Sequence, residues 1–353
     1  MMSSTPVLQN RVKERRTARG WSQDELAKRA GLSRAGVSAI EIERLIPSTA
    51  AALALAKALE CRVEDLFSLG GDAQAVPTWA WPPAKQPCRL WSAEVGGRWW
   101  YYPAETSDMG VVPHDGRFDG QTIRESSSTN PSHTLVIACC DPAVGILASG
   151  VREMSDFRPL VFSRSSQHAL NLLREGLVHV AGVHLSRGGK TENAAVVQEK
   201  LGPGYSLLRV ARWQEGLALD PKQRVSTIRG ALNAKLRWVG RETGSGARQC
   251  LDEILGDRRP PRHMAREHRG VADAIRTGFA DAGVCLKFVS EEAGLDFIGV
   301  REEAYDLCFP TAMTGDPRIQ ALLTVLRSTQ YRQLIGELPG YDSKDTGTVQ
   351  QIG

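Results

Sequence analysis

Residues 21–47 read WSQDELAKRAGLSRAGVSAIEIERLIP, two short amphipathic segments joined at a glycine. Ser22 is placed to cap a first helix, with Asp24 and Glu25 in its first turn, where the positive end of the helix dipole favours carboxylates. Leu26, Ala27 and Ala30 recur at helical spacing and make one apolar face. Gly31 breaks that helix, and Ser33 caps a second whose inward residues are Val37 and Ile40. Arg34, Ala35 and Ser38 are left on the outward face. Two short helices, a tight glycine turn and a small polar outer face are a helix-turn-helix in sequence form.

Working outward, Gln9–Arg19 is expected to be a basic helix carrying Arg11, Lys13, Arg15, Arg16 and Arg19. After Pro47-Ser48 the run TAAALALAKALE favours helix, and Val63, Leu66 and Phe67 supply a short closing helix that Gly70-Gly71 ends. The whole stretch resembles the DNA-binding domain of the Cro/C1-type (XRE) repressors. Ser22-Gln23, Leu26-Ala27, Gly31, Ser33, Val37-Ser38, Ile40-Glu41 and Pro47-Ser48 match that family's pattern in order. The resemblance implies a five-helix domain that lays its third helix in the major groove of double-stranded DNA. It gives Gln23 a phosphate at a helix N-terminus, and Arg34, Ala35 and Ser38 base edges, with Ser33 in the same contact set. Arg44 reaches a phosphate from the following loop, although Ile42-Glu43-Arg44-Leu45-Ile46 is more apolar than that loop is in the family.

The chain has 353 residues, enough for two or three domains, with 42% apolar and 24% charged residues, the balance of a globular protein. No run of about 18 apolar residues occurs, and MMSSTPVLQNRVKERR lacks the apolar core of a signal peptide, so a cytoplasmic protein with no membrane role is expected. Seven scattered cysteines without a C-x-x-C pair read as reduced thiols. Residues 1–70 hold 11 Lys/Arg against 8 Asp/Glu, while the other 283 hold 33 against 32. Most of the net charge of +4 thus lies with the helix-turn-helix, where phosphate attraction needs it.

Residues 71–88 are rich in Pro and Ala and read as an ordered or semi-rigid linker. Gly96-Gly97 between RLWSAEV and RWWYYPAE signals a hairpin. Five of the eight tryptophans lie from Trp79 to Trp100, a set suited either to base stacking or partner contact, or to packing the hairpin on a sheet. From His133 the pattern becomes alternating. Strands are expected at His133–Cys139, Pro159–Phe162, Val178–Val183, Ser206–Arg212, Arg237–Gly240, Ala282–Phe288, Phe297–Val300 and Ala304–Phe309. Helices are expected from Ala143, over QHALNLLREG, and at Thr191–Leu201, Gly246–Leu255, His268–Thr277 and Arg318–Ser328. That alternation implies parallel sheets with helices on both faces.

Two strand–helix junctions carry hydroxyls and glycine, Ser163–Ser166 and Thr243-Gly244-Ser245-Gly246. Facing helix N-termini make an anion site to which Ser165, Ser166 and Ser245 add hydroxyls and Arg241 and Arg248 add charge; for any one serine taken alone, plain capping is the better reading. The ordered segments VIACCDPAVGILA, FSRSSQHALNLLREGLVHVAGVHL, RWQEGLAL, RETGSGARQCLDEIL, EHRGVADAIRTGFADAGVCLKF, EAYDLCFP and LPGYDSKDTGTV resemble the periplasmic-binding-protein-like domain of the molybdate-binding type over about residues 130–350. The resemblance implies two α/β lobes, about 130–184 with a C-terminal return and about 205–300, joined by crossovers and closing on a small anion. His184 lies near the first crossover, as a cleft residue or a packed hinge residue, and Tyr305 lies near the return. The ligand set is Ser165, Ser166, Thr243, Gly244, Ser245, Gly246, Arg248, His184 and Tyr305, with no cofactor or metal; the resemblance makes molybdate or tungstate the first effector, and an organic acid or another oxyanion fits the residues as well. Asp141, if it faces the cleft, opposes a dianion.

Cys139-Cys140-Asp141 invites a thiol nucleophile, but no histidine stands at a recognisable spacing from either cysteine. His263 and His268 are five apart with no third ligand in view, and GSGAR lacks the Lys and spacing of a P-loop. The expected architecture is an all-α helix-turn-helix domain over 1–70, a linker and hairpin segment over 71–130, and a two-lobed α/β periplasmic-binding-protein-like domain over 131–353. The expected activity is that of a non-enzymatic regulator, a homodimer on operator half-sites about 34 Å apart or a multiple of that. A ligand-independent DNA-binding protein with an assembly domain, and a DNA-tethered cysteine enzyme, are the alternatives.

Overall fold

A computed structural model describes residues 7–70, 78–106, 109–126, 129–185 and 193–353. The chain divides into two compact units, Met1–Ala104 with Pro113–Thr134, and Glu105–Val112 with Leu135–Gly353.

The first unit opens with β1 (Val7–Asn10), α1 (Val12–Ala18), α2 (Gln23–Ala30), α3 (Arg34–Glu41), α4 (Thr49–Ala58) and α5 (Val63–Leu66), closed by β2 (Phe67–Gly70). The basic helix expected from Gln9 thus begins three residues later. Gln9 and Asn10 pair instead with Ser68 and Phe67 in an antiparallel ladder that ties the two ends of the domain together. The helix punctuation follows the local chemistry. Ser22 Oγ accepts the Glu25 N–H at 3.1 Å, Ser33 Oγ accepts that of Gly36 at 3.0 Å, and Gly31 takes the left-handed conformation (φ 65°) that ends α2. Val12, Leu26, Val37, Ile40, Leu55, Leu59 and Leu66 form the core beneath.

The aromatic segment builds a four-stranded antiparallel sheet in the order β4-β3-β5-β6, from β3 (Cys88–Val95), β4 (Arg98–Pro103), β5 (Gly116–Phe118) and β6 (Ile123–Glu125). Gly96 and Gly97, at φ 60° and 72°, make the hairpin turn. The tryptophans do mostly packing: Trp79 bridges to Tyr101 and lies edge-on to Phe118, and Trp81 lies edge-on to Tyr102. Trp99 has a second task. Arg15 of α1, 2% exposed, stacks its guanidinium over the Trp99 ring at 4.4 Å and pairs with Glu94 at 3.4 Å.

The second unit holds β7 (Thr134–Cys139), α6 (Val144–Met154), β8 (Arg158–Ser163), α7 (Ser166–Arg174), β9 (Val180–Val183) and α8 (Asn193–Leu201). It continues with β10 (Tyr205–Leu219), α9 (Ile228–Asn233), β11 (Trp238–Arg241), α10 (Gly246–Leu255), β12 (His263–Ala265), α11 (His268–Arg276), β13 (Ala282–Leu286) and α12 (Lys287–Glu292). β14 (Asp296–Pro310), α13 (Pro317–Arg327), α14 (Thr329–Gly336), β15 (Tyr341–Asp342) and β16 (Val349–Ile352) complete it. Residues 191 and 192, expected to start α8, lie outside the described residues.

One sheet carries both lobes, in the order β12-β11-β13-β10-β14-β9-β7-β8, with β15 and β16 added along β10. β7 and β9 run parallel in the first lobe, and β11 runs parallel to β12 and β13 in the second. The sheet is mixed rather than parallel throughout, because β10 and β14, each 15 residues long, run antiparallel through its centre as the two crossovers. The expected strands Phe297–Val300 and Ala304–Phe309 are one strand, continuous through Arg301-Glu302-Glu303. Phe288, expected to end a strand, lies on α12. Among the described residues no helix is long and apolar enough to cross a membrane, and all seven cysteines are free thiols.

Candidate functional site

In an open α/β sheet the C-terminal ends of parallel strands face the crevice where ligands bind. β7 ends there in Cys139-Cys140, β9 runs out into His184, and β11 ends in Arg241. α7, α10 and α11 begin at the same level with Ser166, Gly246 and His268.

These elements meet. Ser166 Oγ accepts the His184 N–H at 3.1 Å, and the Gln167 N–H donates across the cleft to the Gly244 carbonyl at 3.3 Å. Arg269 Nη2 donates to the Pro142 carbonyl at 3.0 Å, a second bond between the lobes. A Cβ at Gly246 would strike the carbonyl and ring of His184, so glycine is what lets the first turn of α10 approach. Gly182 serves β9 likewise, since a Cβ there would lie 2.5 Å from the Tyr305 hydroxyl and 2.6 Å from Cys139 Cβ. The lobes are therefore closed on each other.

Below the helix ends lies a buried polar core. His184, fully buried, stands with Nε2 3.0 Å from Cys140 Sγ and Nδ1 3.1 Å from Glu303 Oε2. Arg301 pairs with Glu303 at 2.8 Å and with Glu215 at 2.9 Å, and its Nη2 also donates to the Gly246 carbonyl. Burial pushes both carboxyls up to about 7; at Glu215 the neighbouring Glu303 charge adds to the rise and Arg301 opposes it. His184 is driven down to about 4, first by burial, and the Cys140 thiol is pushed well up, again first by burial. His268 is 1% exposed, and neither ring nitrogen has a hydrogen-bond partner. Arg241 is fully buried and pairs with Glu242 at 2.9 and 3.1 Å. Trp213 stacks on Tyr305 at 4.4 Å and packs edge-on against His184 at 5.1 Å.

Of the residues expected to hold a ligand, Ser166, His184, Gly244 and Gly246 come together. Ser165 stands at the cap of α7 without a capping bond. Ser245 is a structural cap: its hydroxyl accepts the Arg248 N–H at 3.2 Å and donates to the Glu242 carbonyl at 3.0 Å. Arg248 is turned to Asp252 and the Arg241 carbonyl, and Thr243 is exposed. Tyr305 is buried under Trp213, and its ring lies 6.4 Å from that of His184. Asp141 accepts from the Ala143 N–H and the Tyr341 hydroxyl, and burial pushes it up to about 6. Arg241, expected to add charge there, is buried beside it, and His268 and the Glu215–Arg301–Glu303 set extend the expected site. His263 is not with His268 but lies at the exposed edge strand against Phe279.

On the helix-turn-helix, Ser33, Arg34 and Ala35 are exposed, Ser38 is half-buried on the same outward side of α3, and Arg44 is exposed after it. Arg34 has one weak exposed partner, Asp24 at 3.5 Å. Gln23 spends its amide nitrogen on Glu41 at 2.9 Å, and Glu41 is itself held by Arg16 at 2.6 and 3.0 Å. Gln23 thereby fixes α2 against α3.

A family model described as the PBP superfamily domain matches residues 149–327, just over half of the chain. The chain belongs to the PBP superfamily. A helix-turn-helix model matches residues 12–66 of this PBP superfamily member. The uncharacterized protein YvgK of Bacillus subtilis (strain 168) is 27% identical over 227 residues, covering 61% of this chain and 73% of the relative. The uncharacterized HTH-type transcriptional regulator YgzD of the same organism is 40% identical over 62 residues, covering 18% of this chain and 94% of the relative. Solved structures to which the chain is similar include PhnD1 from Prochlorococcus marinus (MIT 9301) in complex with methylphosphonate (12% identity, TM-score 0.43, 62% of this chain and 92% of that one). A reduced form of OxyR from N. meningitidis is similar to the same degree (9%, TM-score 0.42, 59% and 98%). The combination of matches is that of a DNA-binding regulator with a ligand-binding domain.

Proposed function

We propose that this chain is a one-component transcriptional regulator whose operator affinity is set by a small anion held between the two lobes. The observation that carries the reading is the cleft itself: the N-termini of α7 and α10 face one another across it, bonded from Gln167 to Gly244. An oxyanion of the molybdate or tungstate kind is the first effector to test, acting on a homodimer. Such an effector favours the closed state because only closure brings both helix ends to it. In this reading the chain acts by binding and not by catalysis.

Thermal stability against molybdate, tungstate, phosphate and small carboxylates tests the reading. A native-state ligand at a hundredfold excess over Kd adds roughly 2.7 kcal/mol. A flat response to every anion would sink it and favour the ligand-independent DNA-binding protein. Two substitutions separate the functions. Arg34→Ala is expected to weaken operator binding while leaving the effector response intact. Ser245→Ala is expected to weaken the effector response and, through loss of the α10 cap, to cost about 1 kcal/mol of stability, with operator binding intact. Gly246→Ala places a methyl against His184 and costs the closed state about 1–3 kcal/mol. Effector titration should read that as binding about 5- to 150-fold weaker.

A further inference from the structure

We propose that Cys140, His184 and His268 form a binding site for one thiophilic transition-metal ion of the zinc class, with ligands drawn from both lobes. The ligand atoms of the three residues lie within 4.8 Å of one another, and all three side chains are buried. In a four-coordinate zinc site neighbouring sulfur and nitrogen ligands stand about 3.3–3.8 Å apart. The Cys140–His184 pair is already closer than that, at 3.0 Å, so small side-chain adjustments close the trio on an ion.

Three further observations point the same way. His268 buries two ring nitrogens with no partner, a cost a folded protein sustains where something else satisfies the group. His184 turns its other nitrogen to Glu303, the carboxylate–histidine arrangement that fixes which nitrogen faces a metal. The donor set, one thiol and two imidazoles, suits zinc or copper(I) and not magnesium or calcium. Binding exchanges the Cys140 thiol proton for the ion, leaving the thiolate as ligand. Arg241, whose charge reaches all three ligands, is paired with Glu242 at 2.9 and 3.1 Å. The alternative grouping of His184 with Glu215 and Glu303 does not compete, because Arg301 already sits between its carboxylates.

Cys140 and His184 belong to the first lobe and His268 to the second, so the ion ties the lobes shut. The site goes beyond the oxyanion reading and is tested apart from it. The full chain is stripped with chelator, given Zn2+, desalted and assayed for metal; Co2+ is then substituted and its absorption recorded. One retained equivalent and a thiolate-to-cobalt charge-transfer band are expected. Both are expected to vanish in Cys140→Ser and His268→Ala, with folding checked by far-UV circular dichroism. Glu303→Gln, a change at the positioning residue, is expected to retain the band and weaken affinity about 10- to 100-fold. If a ligand variant fails to fold, the cobalt spectrum of the unmodified chain decides. No retained zinc, zinc retained equally by both ligand variants, or bound cobalt without the charge-transfer band overturns the site. Zinc retention in a chain whose melting ignores molybdate keeps the metal site and removes the oxyanion; a molybdate response without zinc retention does the reverse.

Discussion

Glu41→Ala is expected to unfold the helix-turn-helix more readily than any change on its DNA-facing surface, by about 3 kcal/mol. The carboxylate is 1% exposed and takes two bonds from Arg16 and one from Gln23, so its loss leaves a guanidinium nine-tenths buried without its counter-charge. The figure sits at the low end for a broken buried pair because Arg16 keeps its bond to the Trp21 carbonyl. Urea unfolding followed by far-UV circular dichroism measures it. Replacing both partners with apolar residues, Arg16→Met with Glu41→Leu, should recover most of the loss, since such pairs are often replaceable. The effect also has a definite pH course. Burial opposes charging Glu41, but the bonds from Arg16 and Gln23 and the Arg16 and Lys13 charges outweigh it and hold the carboxyl below its usual range. A depressed carboxyl contributes stability that is full above about pH 4.3 and is lost as pH falls through the folded value. The deficit of the alanine variant should therefore shrink in acid. A deficit that is constant from pH 7 to pH 3 would show that the pair is not its cause.

Arg301→Ala is the second large effect, about 3–5 kcal/mol in the ligand-binding unit. It strands Glu215 and Glu303, which are 0% and 1% exposed, on two adjacent strands. Both carboxyls already titrate near 7 with Arg301 in place. A carboxyl raised above its unfolded value costs stability as pH rises from about 4.3 through the folded value, so the sign here is opposite to that of Glu41. The variant should be nearly tolerated at pH 5 and most deficient at pH 8. Thermal unfolding at the two pH values checks this; equal deficits would mean that the loss comes from packing alone.

The same residues show why some features were legible in the sequence and others were not. The helix-turn-helix is a local object: 27 consecutive residues carry its caps, its glycine and both apolar faces. β14 hid because Arg301-Glu302-Glu303 interrupts the apolar run, and only the partner strand, which brings Glu215 to Arg301, explains charge in the middle of a sheet. The N-terminal strand hid for a related reason, since VLQN has no pattern of its own and is held by residues 67–70. The strand–helix junctions were visible as glycine and serine, but hydroxyls that cap a helix and hydroxyls that face a ligand have the same spelling. Ser245 caps α10 through the Arg248 N–H, and Ser166 holds the His184 N–H. Cys140, His184 and His268 share no spacing. They converge because strand and helix ends from both lobes meet at one level of one sheet, a relation among distant segments that no short window contains.

The stacking of Arg15 on Trp99, with Glu94 beside it, bears on where the DNA-reading part of this protein ends as a transplantable module. A fragment cut after residue 70 keeps all five helices yet strips a buried guanidinium of its aromatic roof and its counter-ion. A chimaera made by grafting this reader onto another sensor must carry the Cys88–Pro103 hairpin with it.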